Sequence, residues 1–134
     1  MGLSRFNAEG YSDPTPYQAA ANIDRENHRY RPLVYVCSAF SGDVEGNTEK
    51  ARQYARFAVD SGAIPIVPHL MFPQFMDEAS ERDLALFMGM VLMRKCEEVW
   101  VFGTQTAGMK AEVAKAKRKQ MKVRYFTDRM EEQS

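Results

Sequence analysis

The residues whose types and spacing could do chemistry lie in one stretch, Thr104-Gln105-Thr106-Ala107-Gly108-Met109-Lys110-Ala111-Glu112. It follows the apolar run Val99-Trp100-Val101-Phe102-Gly103 and precedes the helical pattern Val113 to Lys119, which together read as strand, tight turn, helix. Such a turn aims the first free N–H groups of a helix at whatever sits above the strand's carboxyl end. Glu112 then falls in the first or second helical turn on a stem of small residues. A carboxylate there is expected to be held ionised by the positive end of the helix dipole and to face the crevice where such sheets bind ligands. The plainer alternative is a solvated helix residue beside Lys115 or Lys119. A second polar turn, Ser38-Ala39-Phe40-Ser41-Gly42-Asp43, follows another apolar run. Asp43 there serves equally well as a helix cap or as a ligand contact.

The elements that must position these turns are legible from periodicity. Leu33–Cys37 is almost continuously apolar, as a parallel strand buried on both faces should be. Val44–Ser61 carries Ala51, Tyr54, Ala55, Ala58 and Val59 on one helical face, and Gly62 is a natural C-cap. Ala63–Val67 is a second strand, and its internal Pro65 predicts a short strand or a sheet edge. Residues 68–76 hold two prolines and several large apolar groups; we expect a loop that covers a pocket or meets another subunit. Asp77–Ser80 is a polar break. A helix over about 81–95 presents Phe87, Met88, Met90 and Met93 as core or interface. The strand Glu98–Phe102, a helix over about 107–120, a strand Met121–Phe126 and a charged tail at 127–134 complete the chain. Before all of these, residues 1–30 read as an irregular arm with a short helix at about 15–28.

Strands alternating with helices predict a three-layer α/β domain, Rossmann-like or flavodoxin-like, with a parallel sheet of about four strands in the order 2-1-3-4. That order makes Ser38–Asp43 and Thr104–Glu112 neighbours at one crevice. The whole chain, 1–134, is expected to be a single domain. Eighteen acidic and eighteen basic side chains cancel, so no electrostatic footprint for nucleic acid or a membrane surface is expected. No apolar run approaches the ~20 residues of a membrane span, and Met1–Gly10 has no signal-peptide core. A cytoplasmic location is the expectation. Cys37 and Cys96 lack metal-ligand spacing and are expected as buried, reduced thiols, so no metal and no cofactor are expected.

Four segments carry a resemblance: Val34–Ser38 with Gly42-Asp43; Gly62–His69; Lys95–Gly103; and Gly108-Met109-Lys110-Ala111-Glu112. Over roughly residues 11–126 the chain resembles an uncharacterised bacterial and phage domain family. That family is related to the nucleoside 2-deoxyribosyltransferases and the nucleoside 5′-monophosphate N-glycosidases. The resemblance implies a nucleoside or nucleotide as ligand, with Glu112 as the nucleophile that attacks the sugar's anomeric carbon through an oxocarbenium-like transition state. It also implies that Ser38, Phe40, Ser41 and Gly42 hold the sugar or its 5′-phosphate. Thr104 and Thr106, with backbone N–H groups from Ala107 through Gly108 to Met109, would lie near a phosphate. Related enzymes are dimers or larger, which implies a homo-oligomer here, with 68–76 as the candidate contact. These enzymes also carry an aspartate in the helix before the third strand that handles the proton at the leaving base. By spacing that position is near Gly89; Asp83 comes nearly two turns too early, so Asp43 or His69 would have to stand in. Loss of such an acid lowers a rate by about 10²–10⁴-fold.

Three readings follow: an N-glycosidic hydrolase or transferase, a non-catalytic nucleotide binder, and an assembly protein built on the apolar loop and the Met-rich helix.

Overall fold

The computed structural model describes residues 29–134. By its internal contacts the chain divides between Tyr30 and Arg31, and the unit Arg31–Ser134 is described below. The helix expected at 15–28 lies outside the described residues.

The sheet's central strand, β1 (Leu33–Cys37), pairs in parallel with β2 (Ile64–Ile66) on one side and β3 (Glu98–Phe102) on the other. β3 pairs in parallel with β4 (Lys122–Phe126). The predicted order 2-1-3-4 is therefore present, and a fifth strand extends it. β5 (Glu132–Gln133) runs antiparallel to β4, giving 2-1-3-4-5. The charged tail is thus part of the sheet, and one of its charges is paired across the ladder. Arg124 donates from Nε and Nη2 to the two carboxylate oxygens of Glu132, at 2.8 and 2.6 Å. Its guanidinium lies over the Trp100 ring, 4.7 Å from the centroid.

Strand alternation divides the core. Tyr35 and Cys37 pack with Val99, Val101 and the helices α3 (Arg82–Arg94) and α4 (Ala107–Arg118). Val34 and Val36 pack with Trp100, Phe102 and α1 (Val44–Asp60). The helices thus form layers on either side of the sheet. β2 is three residues long and lies at the edge, where Pro65 is tolerated.

Residues 68–76 are not the irregular loop expected. A helical turn, α2 (Pro68–Met71), is followed by a 3₁₀ turn, Phe72–Gln74, and each proline lies in the first positions of its turn. There the missing N–H costs nothing. The larger departure is α3. Only Gly89 and Met93 are buried in it, while Leu84, Leu86 and Phe87 are exposed.

Candidate functional site

The carboxyl edge of the sheet is where the turns after β1 and β3 meet. After β1 the chain reverses through Gly42, whose φ of +96° suits glycine alone among residues without strain. Asn47, one turn into α1, clamps that reversal by donating from Nδ2 to the carbonyls of Phe40 (3.2 Å) and Ser41 (3.0 Å). After β3 the turn is made at Gly103, with φ +79°, and Thr106 caps α4 by accepting from the Met109 N–H at 3.2 Å. Ser38 and Ala39 from the first turn and Gly103 and Thr104 from the second line one cleft of about 200 Å³. Asn47, Lys50 and Tyr54 of α1 and Asp128, beyond β4, are also among its lining residues. The expected proximity of the two turns is met at Ser38 and Thr104.

Glu112 lies across the sheet from that cleft, on the α3/α4 face, where it is half-buried. Tyr35 donates its hydroxyl to Glu112 Oε2 at 2.9 Å, and Cys37 donates its thiol to Oε1 at 3.2 Å. Burial pushes the carboxyl above its ordinary value, and the two donors oppose this without overcoming it. Burial is therefore the largest influence on the Glu112 carboxyl, and the helix dipole is not what sets it. With Thr106 as N-cap, Glu112 is beyond the first turn, where the dipole has faded. Burial, together with the neighbouring carboxylate, pushes the Tyr35 phenol and the Cys37 thiol well above their ordinary values. Both therefore stay protonated and remain donors. Cys96, likewise buried, is pushed up to about 11. Neither thiol has the depressed pKa of a nucleophilic cysteine.

Gly89 faces this arrangement. A Cβ built there would lie 3.6 Å from the Tyr35 hydroxyl, so the position near which spacing puts an aspartate does look toward the Tyr35–Glu112 pair. Neither expected stand-in reaches the carboxylate. Asp43 is exposed and accepts from the Gly46 N–H at 3.1 Å as the N-cap of α1. His69 sets its ring edge-on to Phe40, with centroids 5.1 Å apart at 89°. Burial lowers the His69 pKa, so the ring is neutral at pH 7, and its Nδ1 is buried without a hydrogen-bond partner. Ser38 Oγ is the other buried side-chain polar atom without a partner among the described residues. Buried polar atoms of this kind are uncommon and call for an explanation.

The other sequence-derived candidates have structural duties. Met109 is buried in the core, and its N–H is committed to Thr106, so it is not free for a ligand. Gly108 and Ser41 are exposed. Sequence reasoning passed over Tyr35, Cys37, Asn47, Lys50, Tyr54 and Asp128. Period-two alternation along β1 was the signal for the first two, since it puts them on one face of the sheet. Among the described residues no group of three or more His, Cys, Asp or Glu is arranged to hold a metal. No described helix is long and apolar enough to cross a membrane.

Fold and site together define a doubly wound α/β domain with a polar cleft at the point where the strand order reverses, the usual ligand position in such sheets. The chain belongs to a family described as a domain of unknown function (DUF7768), whose profile matches residues 32–126. No curated protein matches the chain.

Proposed function

We propose that this protein binds a nucleoside or nucleotide at the carboxyl edge of its sheet and cleaves or transfers at the N-glycosidic bond through Glu112. The observation that carries this reading is the half-buried Glu112 carboxylate, held between Tyr35 and Cys37. The resemblance of Gly108–Glu112 and the β1 turn to the deoxyribosyltransferase relatives supports it. A carboxylate has about four lone-pair sites, so two donors orient it and leave it able to attack. One Glu112 oxygen bonds to the anomeric carbon as the carbon–nitrogen bond breaks, and the electron pair of that bond leaves with the base, which takes a proton from solvent water. Water or an acceptor then displaces the glutamate, which leaves as carboxylate. The decisive test is base release from ribo- and deoxyribonucleosides and their 5′-monophosphates, with Glu112→Ala alongside. Release that persists unchanged in the variant would remove Glu112 from the chemistry.

The non-catalytic binder is favoured by one specific observation: the position that faces the Tyr35 hydroxyl from α3 is Gly89, a residue with no carboxylate. Stabilisation by a nucleotide without base release would establish that reading.

We also propose that a second copy covers α3. On α3 Phe87 is 62% exposed and Leu84 is 49% exposed, which is unusual for a helix so apolar, and Phe75, before it in the chain, is 67% exposed. Charge favours another α3 as the occupant. Asp77, Glu78, Glu81 and Asp83 outnumber Arg82 at or before its N-terminal end, and Arg94 and Lys95, ahead of Glu97, mark its C-terminal end. Antiparallel pairing about a twofold axis would bring opposite charges together. A monomeric mass at micromolar concentration in light scattering would refute it.

A further inference from the structure

The charges of the chain cancel in sum, but they do not cancel over its surface. The charged side chains of α4 and its C-cap are Lys110, Glu112, Lys115, Lys117, Arg118 and Lys119. The acid among them, Glu112, turns inward to Tyr35 and Cys37. Met109, Val113 and Ala116 are buried on that same side of the helix. By helical spacing the cations therefore hold the remaining, outward sides, four of them within the run Lys115 to Lys119. Lys115 is half-buried and the others are exposed.

None of these cations has an ion-pair partner among the described residues. Arginines elsewhere are treated differently. Arg52 pairs with Glu49 at 3.2 Å, Arg56 with Asp60 at 2.8 Å, and Arg124 with Glu132 at 2.6 Å. Lys117 lies over the Tyr125 ring, 5.9 Å from its centroid, a contact that leaves its charge uncancelled. Cations in a last turn complement the helix dipole, but α1 is the longer helix and has none there. Solubility is served by interspersed signs and does not call for a face of one sign. A face of one sign with no counter-charge fits a polyanion.

The composition of the face decides which polyanion. Interfaces between proteins are enriched in aromatic residues and depleted of Lys. A helix that lies in a membrane surface sets an apolar face beside its basic one. None of the exposed large apolar side chains lies on α4, so it has neither feature. Nucleic-acid phosphates require charge alone. Four of the cations are lysines, point charges without the rigid fork with which Arg reads a guanine edge.

We propose that the outward face of α4 binds the phosphate backbone of nucleic acid without reading its sequence. This surface is independent of the nucleotide reading above, since Glu112 faces the opposite way. The test is fluorescence anisotropy of a labelled DNA duplex titrated with the full chain at two salt concentrations. Two double variants with equal loss of charge are compared. Arg118→Gln with Lys119→Gln removes cations from α4, and Arg52→Gln with Arg56→Gln removes paired cations from α1.

Wild type is expected to bind at about 50 mM salt with a dissociation constant of roughly 10⁻⁶–10⁻⁴ M. Affinity should fall by roughly 40-fold at about 200 mM salt, the loss for about three neutralised phosphates. The α4 variant should bind at least ~10-fold more weakly at low salt and lose about two thirds of the salt slope. The α1 variant should stay within ~2-fold of wild type, and a duplex of another sequence should bind equally well. Absence of binding at low salt, or equal losses in the two variants, would overturn the proposal. Tighter adsorption to phosphatidylserine vesicles or to polyglutamate, weakened by the same α4 variant, would overturn it in favour of a lipid surface or an acidic protein. Base release enters none of these readouts, so the Glu112 chemistry can fail while this surface stands, and the reverse.

Discussion

Cys37, the last residue of β1, and Ser38, which follows it, open onto sites built on opposite plans. Cys37 belongs to a closed arrangement in which a carboxylate is half-buried and both of its oxygens are occupied by donors. Ser38 belongs to an open cleft in which a buried hydroxyl has no partner and two opposite charges stand apart. The first holds one group in one place, and burying that charge lowers the stability of the fold. The second keeps bonding capacity unspent, as a binding surface must. Fixing a reacting group and leaving room for what it reacts with are different physical demands. Alternation of side-chain direction from one residue to the next separates them.

The most severe way to break the closed arrangement is to remove its centre. Glu112→Ala is expected to lower base release by at least about 10³-fold, the scale seen when a nucleophile is lost. Glu112→Gln should do the same to activity while raising thermal stability at neutral pH. The direction follows from linkage. The folded carboxyl lies above its unfolded value, so its favourable contribution is complete below the ordinary carboxyl range and is lost as pH rises through the folded value. The glutamine variant has no ionisation to lose. Its advantage in melting temperature should therefore grow from acid to neutral pH and vanish below the carboxyl range. An advantage independent of pH would show that Glu112 is not buried at a cost.

A milder change removes one donor. Tyr35→Phe keeps the ring in the core and takes away the 2.9 Å hydrogen bond to Glu112. Because that bond lowers the Glu112 pKa, its loss should move the acid limb of the pH–rate profile upward and reduce the rate by about 10-fold at neutral pH. Stability should fall by ~1–3 kcal/mol, since the carboxylate stays half-buried with one partner fewer. A rate that falls with no movement of the pH limb would assign Tyr35 a packing role instead.

The two sites were unequally legible in the sequence. The open cleft was half visible, because turns announce themselves: Ser38 and Thr104 follow apolar runs, and the strand order that brings them together follows from connection rules. Its other lining residues were not, since Lys50 and Asp128 look like any solvated helix or tail residue until the chain is folded. For the closed arrangement the reverse held. Glu112 stood out, while Tyr35 and Cys37 read simply as members of a buried strand. Their hydroxyl and thiol matter only through a helix more than seventy residues later. β5 was missed because a two-residue strand has no period, and the Arg124–Glu132 pair across the ladder exists only in the folded chain. The two prolines of 68–76 pointed to irregular chain, yet both sit where helical turns accept them. In α3 the apolar stripe was plain but its partner was not, because a sequence does not say whether a hydrophobic face meets its own core or another surface.

The smallest expected effect is also the one of opposite sign. Ser38→Ala deletes a buried hydroxyl that finds no partner within the protein, so the variant loses an unmet desolvation cost and no bond. In the absence of ligand it should be more stable than wild type by about 1 kcal/mol, readable as a rise of several degrees in melting temperature. With a nucleoside 5′-monophosphate at saturating concentration the gain should shrink, because wild type is stabilised by its tighter binding and the variant less so. Tyr35→Phe should show the reverse pattern, destabilised with or without the nucleotide. If Ser38→Ala instead destabilised the free protein as Tyr35→Phe does, its hydroxyl would already be satisfied. The distinction between a closed site and an open one would then fail at the residue where it is drawn.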